Sequence, residues 1–200
     1  MTSRYLPRIV RLFEKGLDDG SSIGLHGTSL EAILHLSRYG RLPNTGRETD
    51  KFYFHLLQSQ EFNPVLEEAK IYAKWNALNQ YLKQKLPFEP DPEELASIRL
   101  VDEFEELPKL AEQCKRHGIT EGQINRWIDE FEHSNSRGVV ISVARRLAKD
   151  FKIEKGEGNP LERYVRIPSG LRLDYIRGIE PIGQYEWDKL IEIQDRLTQR

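Results

Sequence analysis

The apolar positions near the start of the chain recur at helical spacing. Ile9, Val10, Leu12 and Phe13 lie between Pro7 and Lys15 and stop at Gly16, which predicts a short helix with proline near its first turn. Turn formers fill 18–22, and Ile23-Gly24-Leu25-His26 then alternates apolar with small or polar residues, the pattern of a short strand. Thr28 and Glu31 have capping-box spacing, Leu30, Ile33 and Leu34 form a buried stripe behind them, and Gly40 is the expected left-handed stop. Residues 42–50 hold Pro43, Asn44 and Gly46 and predict a loop, after which the aromatic run 52–57 predicts a strand.

From Asn63-Pro64 the period is helical for about five turns, with Leu66, Ala69, Ala73 and Ala77 on one face down to Pro87. Asp91-Pro92 opens another helix with Leu95, Ile98 and Val101 inward; Pro108 interrupts it, and a second piece runs to His117-Gly118. Thr120 and Gln123 repeat the capping spacing ahead of Ile124, Trp127, Ile128 and Phe131, so 88–133 is predicted helical throughout, with Trp127 buried. After Ser136 the pattern changes. Residues 138–143 read as a β-branched strand, 163–167 as an alternating strand with one solvated face, and 171–179 as one more. The tail from Tyr185 is helical, with Trp187, Leu190, Ile191 and Leu197 apolar. This order predicts an α+β fold, a single domain over 1–200 with a helical insertion at 88–135.

Composition narrows the function classes. The chain has 200 residues, 38% of them hydrophobic and 31% charged, with three Trp, eight Tyr and eight Phe to anchor a core. Thirty basic and 32 acidic residues leave a net charge of −2, which argues against a wholesale nucleic-acid binder. Cys114 is the one cysteine, so no intramolecular disulfide forms; without clustered Cys/His spacing no metal site is expected. His35, His55, His117 and His133 are expected at the surface or with satisfied partners. No apolar run approaches the ~20 residues of a membrane span, and the first residues lack a signal-type apolar stretch, so a cytoplasmic protein is expected. Residues 89–106 hold eight acids against Arg99 alone, which reads as a solvated helix face. Arg137, Arg145, Arg146, Lys149, Lys152 and Lys155 form a basic counterpart with only Phe151 as an interleaved aromatic, open to a nucleic-acid footprint or a solvated face.

The stretch with most chemical content is Leu25-His26-Gly27-Thr28-Ser29-Leu30-Glu31. It sets a histidine at a strand end, then a glycine that permits close backbone approach, then a hydroxyl residue at a helix N-terminus that favours polar or anionic atoms. This string, with Gly40 and Leu42 behind it, resembles the opening of the ADP-ribosyltransferase superfamily, whose diphtheria-toxin-like and poly-ADP-ribose-polymerase-like members begin with strand-His-Gly-Thr/Ser. Phe52-Tyr53-Phe54 looks like the family's second strand, Ala69-Lys-Ile-Tyr72-Ala73 resembles the helix that follows, and Glu162 to Pro168 looks like a late strand headed by the catalytic glutamate. The resemblance is scattered over 22–182, and 88–133 lies outside it.

The resemblance implies a split antiparallel sheet and a cleft for NAD as substrate, with no metal. His26 would bond a ribose hydroxyl, Gly27 would let the ligand approach the backbone, Thr28 would support the nicotinamide ribose, and Tyr53 would stack on the nicotinamide. A carboxylate would stabilise the oxocarbenium that develops as ADP-ribose is transferred to a protein or nucleic-acid acceptor. Glu162, Glu180 and Glu186 are the candidates for that acid, with Glu162 preferred because it heads a strand, and Glu186 next because Gln184-Tyr185-Glu186 has a spacing some members use. The Glu-x-Glu of many arginine-modifying members is missing, since Pro160-Leu161 precedes Glu162. Two alternatives stand beside this reading. One is RNA 2′-phosphotransferase chemistry, whose enzymes usually carry arginine where this chain has His26. The other is a non-catalytic interaction protein whose helical middle binds a partner.

Overall fold

Pairing of the strand that carries His26 organises the molecule, in a computed structural model that describes residues 4–17, 20–44, 50–57, 62–101, 104–157 and 159–198. The elements in chain order are α1 (Leu6–Lys15), β1 (Ser22–Thr28), α2 (Leu30–Tyr39), β2 (Arg41–Leu42), β3 (Lys51–Leu56) and α3 (Phe62–Lys85). Then come α4 (Pro92–Ser97), a 3-10 turn at Phe104–Glu106, α5 (Pro108–Arg116), α6 (Glu121–Glu132), β4 (Val139–Ala144) and α7 (Leu147–Asp150). The chain closes with β5 (Glu154–Lys155), β6 (Glu162–Arg166), β7 (Leu171–Arg172), a 3-10 turn at Leu173–Tyr175, β8 (Ile176–Pro181) and α8 (Gln184–Thr198). The fold is α+β with an open antiparallel sheet of order β5-β6-β3-β1-β4-β8, and β2 pairs with β7 apart from it. Most of the predicted loop at 42–50 lies outside the described residues.

Alternation along the strands divides the apolar residues between the two faces. Phe52, Phe54, Val139, Ile141, Val143, Val165, Ile176 and Ile179 meet Ile9 and Phe13 of α1, Ile33 and Leu36 of α2, and Leu190 of α8. On the opposite face Leu25 and Val140 pack against Val65, Ala69 and Ala73 of α3. The small alanines let α3 approach until two glycines become obligatory. A Cβ on Gly27 would lie 2.1 Å from the Ala69 carbonyl oxygen and 2.3 Å from the Ala73 nitrogen. One on Gly138 would lie 2.3 Å from the Ala73 oxygen, at a φ of +83° that side-chain-bearing residues avoid.

The far half of α3 builds a second core. Ala77, Leu78 and Leu82 join Leu95, Leu107, Leu110, Ile124 and Phe131, so α4, α5 and α6 pack around an apolar centre of their own. Trp127 is half-buried there, less than expected, because its helix presents Ile124 and Phe131 inward first. Glu132 fastens this lobe through ion pairs to Lys74 at 2.5 Å and Arg99 at 2.6 Å. Cys114 is buried in the same core.

Two boundaries differ from the sequence reading for local reasons. Thr28 remains in β1, paired with Val139, and Ser29 is the N-cap of α2, its hydroxyl accepting from the Ala32 amide at 3.3 Å. Thr28 Oγ1 is buried without a hydrogen-bond partner. The run expected as one strand at 171–179 breaks into β7, a turn and β8, because Leu171 is drawn off to pair with Leu42.

Candidate functional site

The β1–β3 ladder is short. It registers Gly24 with Leu56 and Leu25 with His55, against five paired positions between β3 and β6. Leu57 donates to the Ile23 carbonyl at 2.9 Å, so bonded pairs fall at Ile23/Leu57 and Leu25/His55, and the next rung of that kind would be Gly27/Tyr53. That rung is replaced by side chains. His26 Nδ1 bonds the Tyr53 carbonyl oxygen at 2.7 Å, and Asn76 Nδ2 of α3 donates to the Gly27 carbonyl oxygen at 3.0 Å. The sheet is thereby joined by a narrow seam, with β5-β6-β3 on one side and β1-β4-β8 on the other.

His26 has a defined protonation state at this seam. A carbonyl only accepts, so Nδ1 carries the proton and Nε2 holds a lone pair. Burial pushes the imidazole down to about 4, and nearby His55 pushes in the same direction, against the opposing effect of the Tyr53 carbonyl. The ring is half-buried and tilts over Phe52 with centroids 4.6 Å apart. At neutral pH it offers an unprotonated acceptor held in one orientation.

His55 differs from the sequence expectation. It is 3% exposed, and neither ring nitrogen meets a partner in hydrogen-bonding geometry. Its ring lies 4.8 Å from that of Tyr72, which in turn lies 5.2 Å from Trp75. Burial holds its pKa near 4 as well, with the Leu25 backbone favouring the charged ring only in part.

Strand register places the other predicted residues. Tyr53, His55, Tyr164 and Glu162 share the face that α3 flanks, because Tyr53 pairs with Tyr164 and His55 with Glu162. The Tyr53 ring is half-buried and lies 5.5 Å from that of Tyr164, with the Lys51 ammonium 4.5 Å from the latter's centroid. His26 belongs to the opposite face with Ile141 and Phe52, so its ring and that of Tyr53 lie on opposite sides of the sheet, and His26 meets Tyr53 at the backbone carbonyl. Gly27 meets α3, where a ligand had been expected. Glu162 turns towards edge strand β5, since a Cβ on Gly156 would lie 2.2 Å from its Oε1. One strand, β3, separates it from β1.

The remaining acids lie apart from the seam. Glu180 pairs across the sheet with Val140, on the far side of β1 from β3. Glu186 is 1% exposed at the start of α8; its carboxylate accepts from the Ser136 hydroxyl and from the Arg137 amide at 3.1 Å. Its role there is to tie the helix to the segment leading into β4. The sequence reading missed Asn76 and the paired burial of His26 and His55. Asn76 stands seven residues after Ala69 on the face that α3 turns to β1, the one sequence cue to it.

Among the described residues no group of three or more His, Cys, Asp or Glu is placed to hold a metal ion, and no helix is long and apolar enough to cross a membrane. A scan against protein-family models gave no match, and searches of curated proteins and of solved structures found no significant similarity. Fold and site therefore define the class alone: an α+β protein with a seamed antiparallel sheet and a neutral histidine at the seam.

Proposed function

We propose that the protein binds NAD at the β1–β3 seam and acts as an ADP-ribosyltransferase. The observation that carries this reading is the neutral His26, fixed by the Tyr53 carbonyl, with a lone pair at Nε2 suited to a ribose hydroxyl. Tyr53, whose ring lies on the other face of the seam, offers an aromatic face to a planar ring. In the transfer the glycosidic C1′–N bond breaks and nicotinamide leaves with the bonding electrons. The acceptor's nucleophile then bonds C1′ and gives up its proton. The developing positive charge on the ribose calls for a carboxylate. Glu162 fits best among the three acids, since it shares the Tyr53 face, although its carboxylate must swing from Gly156 towards the seam.

NAD is the direct test. The reading expects NAD to raise the melting temperature and to release nicotinamide with an acceptor present, and His26→Ala to abolish both. No shift with millimolar NAD overturns it. A second reading, a non-catalytic interaction protein of the same fold, is favoured by the placement of Glu162 and by the helix that fills the Gly27 approach. It expects neither NAD response.

A further inference from the structure

A cleft of about 480 Å³ opens where the helical lobe meets the end of the sheet, lined by none of His26, Tyr53 or Asn76. Its volume lies in the range of small-molecule sites. Leu30 at the start of α2, Ala77 and Tyr81 of α3, and Phe131 of α6 form its apolar wall, and Tyr185 of α8 stands beside them, 45% exposed. All the formal charge in the lining is negative: Glu31, Glu186 and Asp188, with no Lys or Arg.

Two neighbouring cations are already engaged. Arg137, behind the lining segment 134–136, donates to the carbonyls of Glu132, Ser134 and Ser136. Lys85 bonds Glu130 at 3.3 Å while its ammonium lies 5.1 Å from the Tyr81 ring centroid. Glu186 is occupied by Ser136 and Arg137, which leaves Glu31 and Asp188 to face a guest. Among the described residues each accepts from a neutral amide, Glu31 from Gln84 at 3.4 Å and Asp188 from Gln184 at 2.7 Å. The Lys85 ammonium lies against the Tyr81 ring, a cation–aromatic contact of the kind a guest cation could make with Tyr185.

We propose that this cleft binds an organic cation, a guanidinium or ammonium on an aliphatic stem. The stem lies along Leu30, Ala77 and Phe131, and the charged head meets Glu31 and Asp188 beside the tyrosines. The site is independent of the NAD reading and stands or falls separately from it.

The test is a titration of the full chain, followed by backbone amide resonances, with three probes: N-acetyl-arginine methylamide, its neutral isostere N-acetyl-citrulline methylamide, and spermidine. The arginine derivative is expected to shift resonances around Leu30, Ser136 and Tyr185, and citrulline to leave them in place. The double variant Glu31→Gln/Asp188→Asn should weaken binding about fivefold or more, as two partly exposed charge contacts imply, with its melting temperature retained. Tighter binding of the arginine derivative assigns the cation to a polypeptide side chain, and tighter binding of spermidine assigns it to a free polyamine. Equal response to arginine and citrulline, shifts confined to the acidic segment 89–106, or full affinity in the double variant overturns the proposal.

Discussion

His26 bonds the backbone carbonyl of Tyr53 across 2.7 Å, and this side-chain bond stands where a backbone rung between Gly27 and Tyr53 would otherwise close the sheet. The bond needs a proton on Nδ1, and burial, against the pull of that bond, keeps the rest of the ring unprotonated.

Stability should therefore fall as the solution is acidified through the histidine range. Both His26 and His55 have folded pKa values lowered from 6.5 to about 4, so between those values the unfolded chain binds more protons. Their contribution is complete above pH 6.5 and is lost progressively as pH falls towards 4. Between pH 8 and pH 5 linkage gives about 2 kcal/mol per ring, an upper figure for the half-buried His26. Urea midpoints at the two pH values check this, and His55→Leu should flatten the difference. Carboxylates with lowered pKa, such as Asp150 beside Tyr175, act only below this window. Equal midpoints at pH 8 and pH 5 would contradict the assignment.

Gly27 gives a test that separates structure from ligand binding. Its missing Cβ is required by the Ala69 and Ala73 backbone, so Gly27→Ala should destabilise by roughly 1–3 kcal/mol or more through overpacking. Exposed Gly122, within α6 and with its nearest neighbour 4.0 Å away, should behave oppositely, with Gly122→Ala gaining roughly 0.5–1 kcal/mol. A Gly27→Ala protein that melts like wild type would return this position to the ligand.

How much of this was legible depended on the range of the interaction. Helices with caps and strong period, such as α6 behind Thr120 and α2 ending at Gly40, were read to within a residue or two, because their signals lie inside one turn. The pairing of Leu171 with Leu42 and the side-chain replacement of the Gly27/Tyr53 rung depend on residues far apart in sequence, which periodicity does not report. Thr28 shows an intermediate case. The capping spacing pointed to Thr28, but the extra β1–β4 pair of Thr28 with Val139 holds it in the strand and moves the cap to Ser29. His26 was legible as a strand-end histidine, whereas its neutral state follows only from packing.

That competition between Thr28 and Ser29 is measurable. Ser29→Ala removes the acceptor for the Ala32 amide and should cost about 1 kcal/mol. Thr28→Val replaces a buried hydroxyl that has no partner with a methyl of similar shape, and should be neutral or slightly stabilising. Denaturant midpoints of the two variants should move unequally, with only Ser29→Ala clearly lowered. The reverse order would restore Thr28 as the cap.

Glu186 and Glu162 make the sharpest contrast, because the family resemblance offered both as catalytic acids and the structure sets them in different surroundings. The Glu186 carboxylate is buried and receives the Ser136 hydroxyl and the Arg137 amide, two bonds that fasten α8 to the strand entering the sheet beside β1. Truncation leaves those donors unpaired, so Glu186→Ala should cost roughly 2–3 kcal/mol, the range for losing hydrogen bonds to a buried charged group. Glu162 is half-buried at the start of β6, next to the edge strand, and Glu162→Gln preserves its shape against Gly156. That change should shift stability by less than about 1 kcal/mol. Nicotinamide release should rank the variants the other way once each is held well below its melting temperature. Glu162→Gln should lose about 10²-fold in rate with NAD still bound, as expected when a transition-state charge is removed, while folded Glu186→Ala stays near wild type. Urea unfolding and a nicotinamide-release assay on the same two proteins read both orders. Loss of turnover in Glu186→Ala at undiminished stability would move the acid to α8, and equal turnover in both variants would remove Glu162 from the chemistry.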